Sequence, residues 1–138
     1  DSLLLYILRA WLEEQGPASA RGWAAALGDR AVAPALSAIH QTPAAPWTVQ
    51  SLAQRVGLSR AAFARRFTHL VGEPPMAYLT RWRMTTAATL LRETQAPLTT
   101  IAARTGYSSE YAFAKAFKRE HGQAPGHYRR QTHTASRH

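Results

Sequence analysis

Apolar residues recur at helical spacing along much of the chain, and two of the runs are nearly copies of each other. TVQSLAQRVGLSRAAFARRF spans Thr48 to Phe67, and LTTIAARTGYSSEYAFAKAF spans Leu98 to Phe117. Leu52, Ala53, Arg55 and Gly57 recur 49 residues later as Ile101, Ala102, Arg104 and Gly106. Phe63, Phe67, Gly72, Pro75 and Tyr78 recur 50 residues later as Phe113, Phe117, Gly122, Pro125 and Tyr128. The offset grows by one residue just past the glycine. That places an inserted residue in a turn between matched helices, as a duplicated helix-turn-helix requires.

The local chemistry fits that turn. Ala53 is small where two helices cross closely, and Gly57 can take the positive φ of a tight turn. Leu58 turns toward the core, and Ser59 can accept hydrogen bonds from the first N–H groups of the next helix. The first unit therefore reads as Thr48 capping a short helix over 51–56, then Gly57, then a second helix from Ser59 to about Val71. Gly72 and Pro74-Pro75 break the chain. A long linking helix is expected over about 75–93, with Tyr78, Leu79, Trp82, Ala87, Leu90 and Leu91 as its apolar positions. The second unit reads as Thr99 or Thr100 capping 101–105, Gly106 as the turn, and Ser108 or Ser109 capping a helix that ends near Gly122. A last short helix follows Pro125, and 132–138 reads as a frayed tail.

Upstream, residues 2–15 form an amphipathic pattern with Leu4, Ile7, Leu8 and Trp11 on one stripe, Ser2 as a cap and Gly16-Pro17 as the stop. A Gly-, Ala- and Ser-rich linker follows, with a short helical turn around 23–27. The next segment, 29–41, carries Val32, Leu36 and Ile39 at helical spacing and ends at Thr42-Pro43 and Pro46. No strand pattern of any length appears, so the expected class is all-α. The organisation is an extra N-terminal helix (1–16), a linker (17–30), a domain over 31–131 with helix-turn-helix units at about 48–71 and 98–121, and the tail.

Charge sharpens this picture. The 138 residues carry 17 Lys+Arg against 8 Asp+Glu, a net +9. Residues 1–30 carry a net −1, whereas 55–92 carry +6 and 93–138 carry +4. The basic charge thus coincides with the repeat. A domain this basic attracts polyanions, since each neutralised phosphate releases a condensed counterion.

Helical geometry names the candidate readers. At about 100° per residue, with Phe63 at 0° and Phe67 near 40°, Arg65 falls near 200° and Ala61 near 160°. The same construction from Phe113 and Phe117 puts Lys115 near 200° and Tyr111 near 160°. A cation at the centre of each outward face suits guanine O6/N7 or phosphate, and a small or aromatic neighbour suits a thymine methyl. Ser59, Arg60, Ser108 and Ser109 sit at helix N-termini, where backbone N–H groups favour phosphate. Arg66, Lys118 and Arg119 are further phosphate candidates on the same helices. A linking helix of nineteen residues spans roughly 28 Å, against about 34 Å between successive major-groove faces, so one chain can put both helices into one groove.

Other chemistry is thinly represented. There is no cysteine, which excludes disulfides and thiolate metal sites and fits a reducing cytoplasm. His121, His127, His133 and His138 lack metal-ligand spacing, so no metal is expected. No nucleophile elbow or phosphate loop occurs, so neither enzyme nor cofactor is expected. The apolar start at 3–8 is too short to span a bilayer. A chain that begins with Asp and enters an apolar helix at once reads as a fragment of a longer protein.

IAARTGYSSEYAFAKAFKREHGQAPGHYR resembles the C-terminal signature of AraC/XylS-type transcriptional regulators, and LAQRVGLSRAAFARRFTHLVGEPPMAYLTRWRM looks like that family's first helix-turn-helix and linking helix. The resemblance covers about residues 31–131. It implies a seven-helix domain in which outward residues of two recognition helices, here Ala61, Ala64, Arg65, Tyr111 and Lys115, meet base edges of promoter DNA. It also implies a bacterial, cytoplasmic activator that touches RNA polymerase. LLLYILRAWLEEQG resembles the helix that ends the regulatory half of cupin-containing members and often forms a dimer contact, and GWAAALGDRAVAPALSAIH resembles the junction that follows. Lys115 departs from the family's usual Arg and lacks its bidentate fork. The competing expectation is a protein-interaction module that docks through the apolar N-terminal helix, its basic surface incidental.

Overall fold

A computed structural model describes residues 5–9, 11 and 23–136. Every regular element among them is a helix. Residues 5–9 and 11, and then 23–27, are helical. Seven further helices follow: α1 (Val32–Gln41), α2 (Val49–Arg55), α3 (Arg60–Val71), α4 (Pro75–Glu93), α5 (Leu98–Arg104), α6 (Glu110–His121) and α7 (Pro125–Ser136). The chain forms two compact units, 1–80 and 81–138, and α4 begins in the first and ends in the second. Ser2, Leu4 and the Gly16-Pro17 stop lie outside the described residues.

In the first unit α1 packs on α2 and α3, and α2 packs on α3. Val32, Leu36, Ile39, Leu52, Phe63, Phe67 and Tyr78 are completely buried there. Tyr78 is the hub. Phe67 meets its ring edge-on at 5.8 Å, Trp11 at 5.7 Å and 87°, and Trp23 at 5.7 Å. Its hydroxyl hydrogen-bonds His40 Nε2, and burial pushes the His40 pKa down to about 4, so the ring is neutral at pH 7. Of the described stripe residues of the N-terminal helix, Ile7 and Trp11 are buried and Leu8 is half-buried, while Leu5 and Tyr6 stay exposed. The short helical turn expected around 23–27 is present, and it buries Trp23 and Ala26.

In the second unit α5 packs on α6 and α6 on α7, around Ile101, Phe113 and Phe117. Phe117 meets Tyr128 edge-on at 5.3 Å. Tyr128 is half-buried, and its hydroxyl accepts from Arg92 Nη1 at 2.5 Å. The Arg83 guanidinium lies over the Tyr107 ring at 5.9 Å.

Caps set the helix limits. Thr48 and Ser51 form a reciprocal capping box at α2. Ser59 accepts from Ala62 N–H at 3.2 Å, and Ser109, not Ser108, accepts from Ala112 N–H at 3.0 Å. Neither Thr99 nor Thr100 caps α5. Its cap is Pro97, whose fixed φ suits the extended cap position and whose carbonyl accepts from Ile101 N–H. The segment expected from Asp29 becomes helical only at Val32, because the Asp29 carboxylate accepts from the N–H groups of Ala31 and Val32. At the other end, 132–136 is helix rather than frayed tail. Thr132 and Thr134 hydroxyls donate to the carbonyls of Tyr128 and Arg130, four residues back. Residues 137–138 lie outside the described residues.

The two turn glycines share a left-handed backbone, with φ of +74° at Gly57 and +89° at Gly106. A Cβ at Gly57 would meet open space, whereas one at Gly106 would lie 2.8 Å from Arg83 Nη2. Gly57→Ala is expected to cost about 1–2 kcal/mol, the left-handed penalty alone. Gly106→Ala should cost more, since it also drives the Arg83 guanidinium off Tyr107, a contact worth about 0.5–1 kcal/mol. Urea unfolding checks this, and the excess at Gly106 should vanish in an Arg83→Ala background.

Candidate nucleic-acid interface

Burial of the phenylalanine pairs decides which sides of α3 and α6 face outward. Phe63 and Phe67 are fully buried, as are Phe113 and Phe117. Opposite them on α3, Ala61, Arg65 and Thr68 are exposed and Ala64 is half-buried. Opposite them on α6, Tyr111, Lys115 and Lys118 are exposed and Ala114 is half-buried. Tyr111 is the extreme case, an aromatic side chain on the outward face that is 77% exposed. Ala61, Arg65, Tyr111 and Lys115, which the ideal-helix angles place outward, are all exposed.

The phosphate candidates divide into two groups. Ser59, Arg60, Ser108, Ser109, Lys118 and Arg119 are all exposed. Ser59 and Ser109 use an oxygen lone pair to cap their helices and keep their O–H donors for a ligand. α6 opens with Glu110, which suits the positive end of its dipole, but α3 opens with Arg60 and has no acidic residue in its first turn. A cation there works against the helix dipole, and it adds charge where backbone N–H groups already attract anions.

Arg66 stands apart. It is exposed, yet it is bound to Asp29 through Nε, 3.0 Å from both carboxylate oxygens, and through Nη2, 2.5 Å from Oδ1. The guanidinium holds the Asp29 carboxyl well below the usual carboxylate range, and the carboxylate raises the pKa of Arg66. Sequence reading missed this pair. The partners lie 37 residues apart, and no local pattern links them.

Thr68 and His69 complete a shallow depression on α3 with Ala64 and Arg65. Among the described residues no group of three His, Cys, Asp or Glu is placed to hold a metal ion. No helix among them is long and apolar enough to cross a membrane.

Two capped helix-turn-helix units on a basic chain define a DNA-binding module of the transcription-regulator class, which is not an enzyme class. A helix-turn-helix domain family matches residues 52–131. The chain is 47% identical over 128 residues to an AraC-like transcription regulator of Streptomyces antibioticus, covering 93% of this chain and 42% of that protein. It spans well under half the length of these curated relatives. Among solved structures it resembles the DNA-binding domain of AdpA, a global transcriptional factor, in complex with a target DNA: TM-score 0.72 and 29% identity over 78% of this chain and 96% of that one. It also resembles the C-terminal domain of AraT, a response regulator from Geobacillus stearothermophilus: TM-score 0.70 and 30% identity over 76% and 87%. The chain belongs to the AraC-type helix-turn-helix family and carries its DNA-binding domain.

Arg65→Ala should lower discrimination between promoter and random duplex by about 1–3 kcal/mol if the side chain reads a base. Competition binding against the two DNAs checks this, and an equal loss on both would make Arg65 a phosphate contact.

Proposed function

We propose that this chain recognises promoter DNA by placing α3 and α6 in successive major-groove turns, as the DNA-binding part of a bacterial transcription regulator. The observation that carries the reading is the pair of matched outward faces, each centred on an exposed cation, Arg65 on α3 and Lys115 on α6. Ala61, Ala64 and Arg65, with Tyr111 and Lys115, meet base edges. Ser59, Arg60, Arg66, Ser108, Ser109, Lys118 and Arg119 meet phosphates. The solved complex of the AdpA domain with its target DNA supports the partner.

The wider roles follow from that partner. The protein works in the cytoplasm, where promoter DNA is, and activates by touching RNA polymerase. Exposed Leu5 and Tyr6 suit a homodimer contact through the N-terminal helix. The interaction-module alternative loses ground, because Ile7 and Trp11 are buried in the first unit.

Salt dependence tests the reading. Duplex affinity should fall steeply between about 50 and 200 mM salt, by roughly 10³-fold or more if six or more phosphates are neutralised. Filter binding or fluorescence anisotropy at several salt concentrations measures it. Binding that is absent or indifferent to salt would contradict the proposal.

A further inference from the structure

One carboxylate does two things at the edge of the first recognition helix. Asp29 Oδ2 accepts from Ala31 N–H at 3.0 Å and Val32 N–H at 2.9 Å, which closes the start of α1. The same carboxylate takes the Nε–Nη2 edge of Arg66 on α3. Asp29 is only 11% exposed, whereas the Arg66 side chain is 55% exposed. The Nη1 group of Arg66 makes no hydrogen bond among the described residues. A rigid planar fork with one edge anchored and the other open is oriented in advance for an anion.

The position on the helix says which anion. With Phe63 at 0°, Arg66 lies near 300°, about 100° round from Arg65 at 200°. A helix about 10–12 Å across fills a major groove about 12 Å wide. If Arg65 faces the groove floor, a side chain a quarter-turn away faces the wall, which is sugar and phosphate. The counterpart of Arg66 in the second unit is Ala116, which is only 4% exposed, so the arrangement belongs to the first unit alone.

We propose that Asp29 is a positioning residue for DNA binding, holding the free Nη1 edge of Arg66 toward a backbone phosphate beside α3. This rests on α3 being a DNA-reading helix. It makes a counterintuitive prediction. Asp29 is an anion near a polyanion, so charge alone says that neutralising it should tighten binding. Positioning says that neutralising it should weaken binding. The two accounts differ in sign.

The test titrates random-sequence duplex DNA with the full chain, Asp29→Asn, Arg66→Gln and the double variant, at salt from about 50 to 200 mM. Asp29→Asn keeps an oxygen to cap α1, and thermal melts confirm its fold. Arg66→Gln should weaken binding and lower the slope of log K against log salt by about 0.9, one phosphate contact. Asp29→Asn should weaken binding about two- to tenfold, the cost of immobilising a side chain that was previously held, and should have no effect when Arg66 is already Gln. Tighter binding by Asp29→Asn would overturn the proposal in favour of a charge brake. Equal weakening in both Arg66 backgrounds would overturn it by placing the effect in the packing of α1. If the wild-type chain binds but Arg66→Gln leaves its affinity and slope unchanged, the positioning role falls and DNA binding stands. If the wild-type chain does not bind duplex DNA at any salt, the reading of α3 itself falls.

Discussion

Everything about the reading surface follows from the burial of two phenylalanines four residues apart on each recognition helix. Phe63 and Phe67 sit at 0% exposure, and so do Phe113 and Phe117. Burying one large aromatic side chain is worth about 1.5–3 kcal/mol, so a rotation of either helix that exposed its pair would cost several kcal/mol. That penalty locks the helix about its own axis. Once the axis is locked, Arg65 and Lys115 have no inward alternative, and the exposed face is determined by the core. Each pair is held in turn by a tyrosine, Phe67 against Tyr78 and Phe117 against Tyr128.

The duplication keeps this scaffold and changes what it carries. Both units retain the small crossing alanine, the left-handed glycine, the serine cap and the glycine exit. The support around each tyrosine differs. Tyr78 is fully enclosed and bonded to the neutral His40, while Tyr128 is half-buried and bonded to the charged Arg92. The faces differ too. The first offers two alanines and an arginine, the second an exposed tyrosine and a lysine. Arginine presents a fixed fork and lysine a point charge, so the two helices suit different base patterns. One chain with unlike faces predicts unlike half-sites rather than a palindrome.

Elements specified by neighbouring residues were legible in the sequence. The linking helix runs over Pro75–Glu93 as expected, because a proline start and a sustained apolar period are local signals. Ser59 and the outward positions of α3 and α6 were legible for the same reason. What escaped depended on residues distant in sequence or on competition between local options. The helical turn at 23–27 was legible, but its anchorage was not, since Trp23 meets Tyr78 more than fifty residues away in sequence. Arg66 reads as a free cation until Asp29 is brought to it. Two threonines competed for the start of α5, and the proline before them prevailed. The tail reads as polar and frayed, but its threonines bond back to their own helix.

The central claim is that the faces opposite the phenylalanine pairs read two unlike half-sites on one duplex. Selection of bound sequences from a random duplex library, performed with the wild-type chain and with Tyr111→Ala, tests it most directly. The account predicts two unlike conserved blocks about one helical turn apart, with Tyr111→Ala relaxing the bases of one block and leaving the other intact. A palindromic consensus, a single block, or equal relaxation of both blocks by Tyr111→Ala would contradict it.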